Sequence, residues 1–391
     1  VSLRVAYFMK RELYDFIIVG AGAAGLHLAL AMLSDDWSKN KRILILDKDL
    51  KDQNDKTWSY WEQAEGKWDH IIRKSWTKGM FYGNQLEIPL NLHPYRYKTL
   101  HAIDFYKEAK RRINQADQIS WMTEEVVDLS FAELPVQVKT DANLYYGHQV
   151  FDSRVEMNSE LDDASYYHIL QHFKGWQIKT AQPSFDPESF TMMDYRLKWK
   201  DSTSFTYVLP FTAREAIVEF TLFNQELLSD EGYEELLRQY IEEILQIREY
   251  EITAVEQGVI PMSDAPFHLS STDHVTKIGQ AGSWVKPSTG YSFKRAELFS
   301  QQIVQNLKAG IRPDIGLLSK KFRFYDSVLL GILHDRNHLG ELVFSTMYEK
   351  NDIQQIFKFL DNQTSLAEDL KIMSRFQYTP FLLSLKQYAL R

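Results

Sequence analysis

Three glycines and two buried-looking carboxylates carry most of the chemistry this sequence offers. Gly20, Gly22 and Gly25 stand in Gly-x-Gly-x-x-Gly spacing, directly after the apolar run 14–19 and before a stretch of regularly spaced leucines. Strand, glycine turn and helix in that order make a phosphate cradle, because the first helical turn presents unpaired N–H groups and a positive dipole end. Gly20 permits the tight turn, Gly22, next to Ala23, lets the backbone approach a pyrophosphate, and Gly25 lets the helix pack closely on the sheet. A second apolar run, 42–47, ends in Asp47, 22 residues after Gly25. An acidic residue there accepts hydrogen bonds from both hydroxyls of an adenosine ribose. Lys48, next to it, is counted with the same dinucleotide site.

FAD and NAD both use such a unit. A second glycine-rich turn far along the chain favours FAD: Gly279-Gln-Ala-Gly282, followed by Pro287-Ser288-Thr289-Gly290-Tyr291. An elongated cofactor held at two points fits it, with the first turn at the pyrophosphate and the second near ribityl and flavin. Trp58 and Arg154 complete the candidate cofactor-binding residues. Trp58, Tyr60 and Trp61 line either the flavin or an apolar tunnel, or else pack in the core.

Glu219 lies in the strand-like stretch 216–223, among Ile217, Val218, Phe220, Leu222 and Phe223. A carboxyl in such surroundings loses its water, which favours the neutral form and suits a proton donor. The alternative is a strand carboxylate that faces solvent or pairs with Arg214. Asp194, in Met-Met-Asp-Tyr-Arg, is a second acid in an apolar strand. It either assists Glu219 or pairs with Arg196 or Arg154. The eleven histidines show no metal-ligand spacing, and the chain has no cysteine, so no metal, disulfide or thiol chemistry is expected.

These residues need a scaffold that places them together. The chain has 391 residues, enough for two or three domains. Hydrophobic residues make up 44% and charged residues 25%, an ordinary globular balance. A net charge of −8 argues against a nucleic-acid binder. Aromatic residues at 14% require a thick core or a large apolar ligand. The uncharged run 16–33 resembles a membrane span, but three glycines in it each weaken a helix by ~1 kcal/mol, so it reads as the strand, turn and helix above. No other segment reaches spanning length. Met9 followed by Lys-Arg-Glu-Leu reads as a native start, with 1–8 as an upstream extension.

The patterns predict helices over 25–33, 101–115, 231–248 and 291–309, and strands over 14–19, 42–47, 126–131, 135–140 and 149–154. Four strand-like stretches between 166 and 223, separated by polar turns, predict an antiparallel sheet in its own layer. A strand at 277–284 runs into the second glycine turn. The fold class is therefore α/β: a Rossmann-like dinucleotide-binding domain, an inserted antiparallel-sheet substrate domain and a helical C-terminal region. The first takes residues 13–75, 100–155 and 250–310, the second 76–99 and 156–249, and the third 311–391.

The blocks GAGAAG, DKTWSYW (55–61), FDSR (151–154), GW with MMDYR (175–176 and 192–196), LPFTAREAIVEFTLF (209–223), GVIPM (258–262) and PSTGYSF (287–293) occur here in this order. In them the sequence resembles the bacterial lycopene cyclases, over roughly residues 13 to 385. The resemblance implies a glutathione-reductase-like FAD-binding fold and a peripheral enzyme at the cytoplasmic face of the membrane. It takes lycopene or another acyclic carotenoid from the bilayer and closes β-rings without net redox change. Reduced FAD stabilises the cationic intermediates, and NADPH or NADH serves only to reduce the flavin. Glu219 corresponds to the glutamate that is the catalytic acid in that family. One departure is Gly279-Gln280, where many related flavoproteins have Gly-Asp. The rival readings are a redox monooxygenase or dehydrogenase acting on an apolar isoprenoid, and a non-catalytic carotenoid-binding flavoprotein.

Overall fold

The computed structural model describes residues 12–131, 133–155, 165–376 and 378–390, so the expected start at Met9 and the extension 1–8 lie outside the described residues. Along the chain, β1 (Glu12–Val19), α1 (Ala23–Leu33) and β2 (Ile43–Asp47) form the strand–turn–helix–strand unit. Five strands follow: β3 (Thr57–Gln63), β4 (Lys74–Trp76), β5 (Lys78–Gly83), β6 (Leu86–Asn91) and β7 (Tyr95–His101). After α2 (Ala102–Ile113) come β8 (Ile119–Thr123), β9 (Val126–Ser130), β10 (Val136–Thr140) and β11 (Leu144–Asp152). The second half of the chain holds β12 (His168–Thr180), β13 (Ser189–Asp194), β14 (Thr203–Pro210) and β15 (Glu215–Asn224). Then come α3 (Asp230–Gln239), β16 (Tyr250–Ser263), β17 (Val275–Lys277), α4 (Phe293–Lys308) and α5 (Lys320–Asp335). The chain closes with α6 (Gly340–Lys350), α7 (Ile353–Leu360), α8 (Leu366–Met373) and α9 (Tyr378–Leu390).

One sheet has the order β8-β2-β1-β11-β10-β9, with β17 also on β11. Its centre is parallel, and the inner residues of β1 and β2 are buried on both faces: Phe16, Ile18, Ile43 and Ile45 under α1, α2 and α4, and Ile17, Val19, Leu44 and Leu46 against Val126, Val136 and Val138 of β9 and β10. The strand β11 serves two partners on one edge: Leu144–Gly147 pairs antiparallel with β10, and Val150–Asp152 pairs parallel with β17. That pairing sets the chain entering the second glycine turn on β11, the direct neighbour of β1, which leads into the first. The other large sheet has the order β16-β12-β15-β14-β13-β5-β6 and is antiparallel except between β13 and β5. A three-stranded antiparallel sheet, β3-β7-β4, lies apart from both.

Two expected boundaries shift. Residues 250–263, assigned by sequence to the dinucleotide unit, are instead the edge strand β16 of the second large sheet, paired with β12 along its length. Its apolar residues do not alternate cleanly, and Val255 and Val259 face outward at 57% and 48% exposure, so no strand pattern could be read there. Residues 57–63 and 74–76 join 95–101 in the small sheet rather than dividing between two units. The helix expected over 231–248 ends at Gln239 and continues as a π-helical turn through Ile244.

The aromatic residues fill the cores. Trp61 stacks on Phe357 at 4.4 Å, tying the small sheet to α7. His27 is ringed by Trp68, Phe105 and Phe293, and burial drives its pKa well down, so the ring is a neutral packing residue. Among the described residues no group of three or more His, Cys, Asp or Glu could hold a metal ion, and no helix is long and apolar enough to cross a membrane.

Candidate active site

A cavity of about 570 Å³ lies where the two large sheets and the small one meet, within the size range of small-molecule sites. Both glycine turns open onto it. Gly20 adopts φ +96°, a conformation that side chains resist, and the turn it makes delivers the chain into α1. Gly22, Ala23, Ala24 and Gly25 line the cavity. No side chain caps α1 and its first turn holds no acid, so its free N–H groups suit an anion from outside the protein. Asp47 accepts from the N–H groups of Ala21 and Asp49, fastening the end of β2 to the glycine turn, and Lys51 stands 3.5 Å away. A carboxylate has lone pairs beyond these two bonds for ribose hydroxyls. Neither Asp47, which stands behind the glycine turn, nor the exposed Lys48 beside it lines the cavity.

From the second turn, Gly279 and Gln280, then Thr289, Gly290 and Tyr291, line the same cavity. The structure separates the remaining expected residues from it. Gly282 turns the backbone without lining the wall, with its N–H bonded to the carbonyls of Ile278 and Gly279. Pro287 faces a small neighbouring void, and Ser288 is buried with its hydroxyl donating to Asp326 at 2.6 Å. Arg154 is not at the cavity either. Its guanidinium binds Asp152 at 2.9 Å and the Val126 carbonyl, and its neighbour Ser153 takes the wall position. Trp58 lines the cavity and packs edge-on against Phe105, whereas Tyr60 and Trp61 belong to the core.

Two buried acceptors in the wall, Gln171 Oε1 and Thr289 Oγ1, have no hydrogen-bond partner within the protein. Orphaned polar atoms of that kind are expected where a polar ligand supplies the partner. Together with the uncapped helix and the open Gly22, they fit an elongated dinucleotide with one end at each turn.

Glu219 stands on the cavity wall from β15. Successive residues of a strand face opposite sides, so Ile217 and Glu219 reach the cavity while Val218 and Phe220 pack into the core under α3. Protein surrounds the Glu219 carboxyl, and its remaining accessible surface opens onto the cavity. Burial, then the nearby Glu256, pushes its pKa up to about 8, against a single hydrogen bond from Thr221 at 3.0 Å. Arg214 does not pair with it; that guanidinium donates to the Ala181 carbonyl. Tyr97, Tyr207 and Tyr291 complete the wall, and burial holds all three phenols neutral.

Asp194, expected as a second acid of the site, is misplaced as well. It is fully buried but away from the cavity, saturated by the Arg196 guanidinium and by the Tyr240 hydroxyl at 2.6 Å. Ion pairing, the alternative considered for it, is what the structure shows. Sequence reasoning also missed Tyr97, Ser153, Gln171, Tyr207 and Glu256, all of which line the wall. Each arrives through strand pairing that no local pattern reveals.

The fold is shared with several solved structures. A geranylgeranyl bacteriochlorophyll reductase-like protein from Thermoplasma acidophilum superposes with TM-score 0.59 at 13% identity, covering 96% of this chain and 98% of that one. A flavin-dependent brominase gives 0.57 at 13% identity over 96% and 99% of the two chains. The p-nitrophenol 4-monooxygenase of Pseudomonas putida DLL-E4 gives 0.57 at 13% over 97% and 99%. At such identities these likenesses define the fold alone. Among curated proteins none matches the chain. The profile of the lycopene cyclase protein family, however, matches residues 15–386, and the chain belongs to that family.

Proposed function

We propose that this protein closes β-ionone rings on the acyclic ends of lycopene, giving γ-carotene and then β-carotene, as an intramolecular lyase. The observation that carries this reading is the place of Glu219: a carboxyl surrounded by protein on the wall of the cavity shared by both glycine turns, where burial pushes its pKa up to about 8. Glu219 gives that proton to the terminal C=C of the substrate. An internal double bond attacks the tertiary cation so formed, and loss of a ring proton completes a product isomeric with its substrate. Gly22, the first turn of α1 and Asp47 would hold the pyrophosphate and ribose of FAD, and the loop 289–291 its flavin end. Reduced FAD, when bound, supplies negative charge that stabilises a cation in a dry site. The aromatic wall residues Trp58, Tyr97 and Tyr207 favour a nearby cation as well. Expression in a lycopene-accumulating host is expected to yield β-carotene, and unchanged lycopene with soluble, flavin-loaded protein would sink the reading.

The reaction moves no electrons overall, so NADPH or NADH serves only to reduce the flavin. Enzyme reduced chemically under argon is expected to convert many equivalents of lycopene. Oxidation of one nicotinamide per ring formed would favour a redox flavoenzyme instead.

Lycopene is a forty-carbon hydrocarbon, and at ~0.8 kcal/mol per methylene-sized unit its transfer from bilayer to water costs on the order of 30 kcal/mol. The enzyme must therefore meet its substrate at a membrane, which we place at the cytoplasmic face. Two apolar C-terminal segments, 322–333 and 376–390, are the candidates for that contact. The apolar residues of the first are spent on packing: Phe322, Val328, Leu330, Ile332 and Leu333 of α5 are buried. Exposed leucines remain on α8 (Leu366, Leu370) and α9 (Leu382, Leu383), and these are the proposed contact. Wild-type protein is expected to float with anionic liposomes, and Leu382→Glu with Leu383→Glu to float less. Sedimentation of both away from the lipid would refute docking.

A further inference from the structure

The acid of this site has a companion. Gly175 of β12 is the cross-strand partner of Glu219 on one side and of Glu256 on the other. The three residues form one row across β15, β12 and β16, and residues paired directly across a sheet point to the same face. Backbones two strands apart lie roughly 10 Å from each other, a gap that two glutamate side chains leaning inward can close. Gly175 leaves that gap free: a Cβ there would stand 3.3 Å from Glu219 Cβ and 3.6 Å from Glu219 Oε2. The Glu219 carboxyl thus lies over the glycine, on the side toward Glu256, and both glutamates line the cavity.

The two carboxyls are held differently. Glu256 is gripped through both oxygens by one residue: the Thr57 N–H donates to Oε1 and the Thr57 hydroxyl to Oε2, each at 2.6 Å. Hydrogen bonds of this kind favour the charged form. Glu219 receives only the Thr221 hydroxyl. Burial raises both pKa values, but for Glu256 the Thr57 bonds and Lys56 oppose it. The other groups around the pair are Tyr97 from β7, Tyr207 from β14 and Tyr291 before α4, all neutral phenols, and Asp55 beside Glu256.

We propose that Glu256 is a positioning residue for the acid: a fixed carboxylate, clamped by Thr57, that reserves the shared proton for Glu219. Two like charges in one dry site do not both ionise, and the asymmetric clamp decides which carboxyl takes the charge. The inference rests on the assignment of Glu219 as the acid, and it adds the device that keeps that acid loaded. The pair titrates as a unit, so removing the charge of Glu256 must lower the proton affinity of Glu219.

The test is a pH titration of the FAD-loaded protein by infrared difference spectroscopy, with the Glu219 carboxyl band identified by its loss in Glu219→Gln. In Glu256→Gln the proton affinity of Glu219 is expected to fall about tenfold or more, and the alkaline limb of kcat/KM to move down with it. Thr57→Val removes one donor from Glu256, lets that carboxyl protonate more readily, and is expected to shift Glu219 in the same direction by less. It decides the matter alone if Glu256→Gln does not fold. A Glu219 midpoint unmoved in the variants that fold overturns the proposal, whatever their activity. The infrared reading needs no turnover, so failure of the cyclase assignment would show separately, as absent product with the band shift intact.

Discussion

Gly22→Val is expected to leave a folded protein that carries no flavin, whereas Gly25→Val is expected to damage the fold itself. The two glycines are three residues apart in one motif, and their surroundings are opposite. A Cβ at Gly22 has nothing within 4 Å and opens onto the cavity wall, so the fold has room for a side chain there. That room is the space a pyrophosphate needs to reach the free N–H groups of α1. A valine fills it with two methyl groups that accept no hydrogen bond. At Gly25 a Cβ would fall 1.9 Å from the Gly20 carbonyl oxygen and 3.1 Å from Ile18 Cγ2, so α1 would have to withdraw from β1. Overpacking of this kind costs at least ~1–3 kcal/mol. Flavin absorbance of the purified proteins measures the first effect, and circular dichroism with thermal melting the second. A Gly22→Val protein that stays yellow would move the pyrophosphate away from this turn.

The difference between what could and could not be read from sequence follows the range of the interactions. The first glycine turn was legible because strand, turn, helix and second strand are contiguous and each glycine has a local reason. The environment of Glu219 was legible because its strand neighbours are apolar. Asp194 was legible as an acid in an apolar strand with Arg196 as one possible partner, whereas Arg154 was expected at the cofactor and is instead held by Asp152. Both belong to pairs two residues apart at a strand end, Asp194 with Arg196 and Asp152 with Arg154, where side chains share a face and close on each other. Each pair turns a charge toward its own partner and away from the site. Glu256 was illegible for a different reason. Its strand lies at an edge with its apolar residues partly outward, and its relation to Glu219 passes through Gly175, which stands 81 positions before it in the chain. Register, not composition, assembles the row. The C-terminal helices show the same limit. The apolar pattern of 322–333 was plain, but whether it faced lipid or protein depended on β12, β15 and α9, which bury it.

Glu219→Gln is expected to fold, bind FAD and accumulate uncyclised lycopene. The amide keeps the shape of the side chain and can still accept from Thr221, but it has no acidic proton for carbon. General acids supply ~10²–10⁴-fold, and protonating an unactivated alkene belongs at or above the top of that range. Glu219→Asp is expected to lose on the order of 10²-fold, since it withdraws the acid by about 1 Å. The pH profile follows from the same group. With its pKa at about 8, Glu219 is loaded at neutral pH, and kcat/KM is expected to fall above that value as the proton is lost. Stability has the matching sign. Between the ordinary value of 4.5 and about 8, folded Glu219 binds a proton that the unfolded chain does not, so wild-type stability falls as pH rises through that window. Glu219→Gln has no such group and is expected to melt above wild type at pH 9 while matching it more closely at pH 5. Near wild-type ring closure by Glu219→Gln would place the acid elsewhere. Asp194 could not inherit the role, because Arg196 and Tyr240 already occupy its carboxylate outside the cavity, and Glu256 would be the next residue to change.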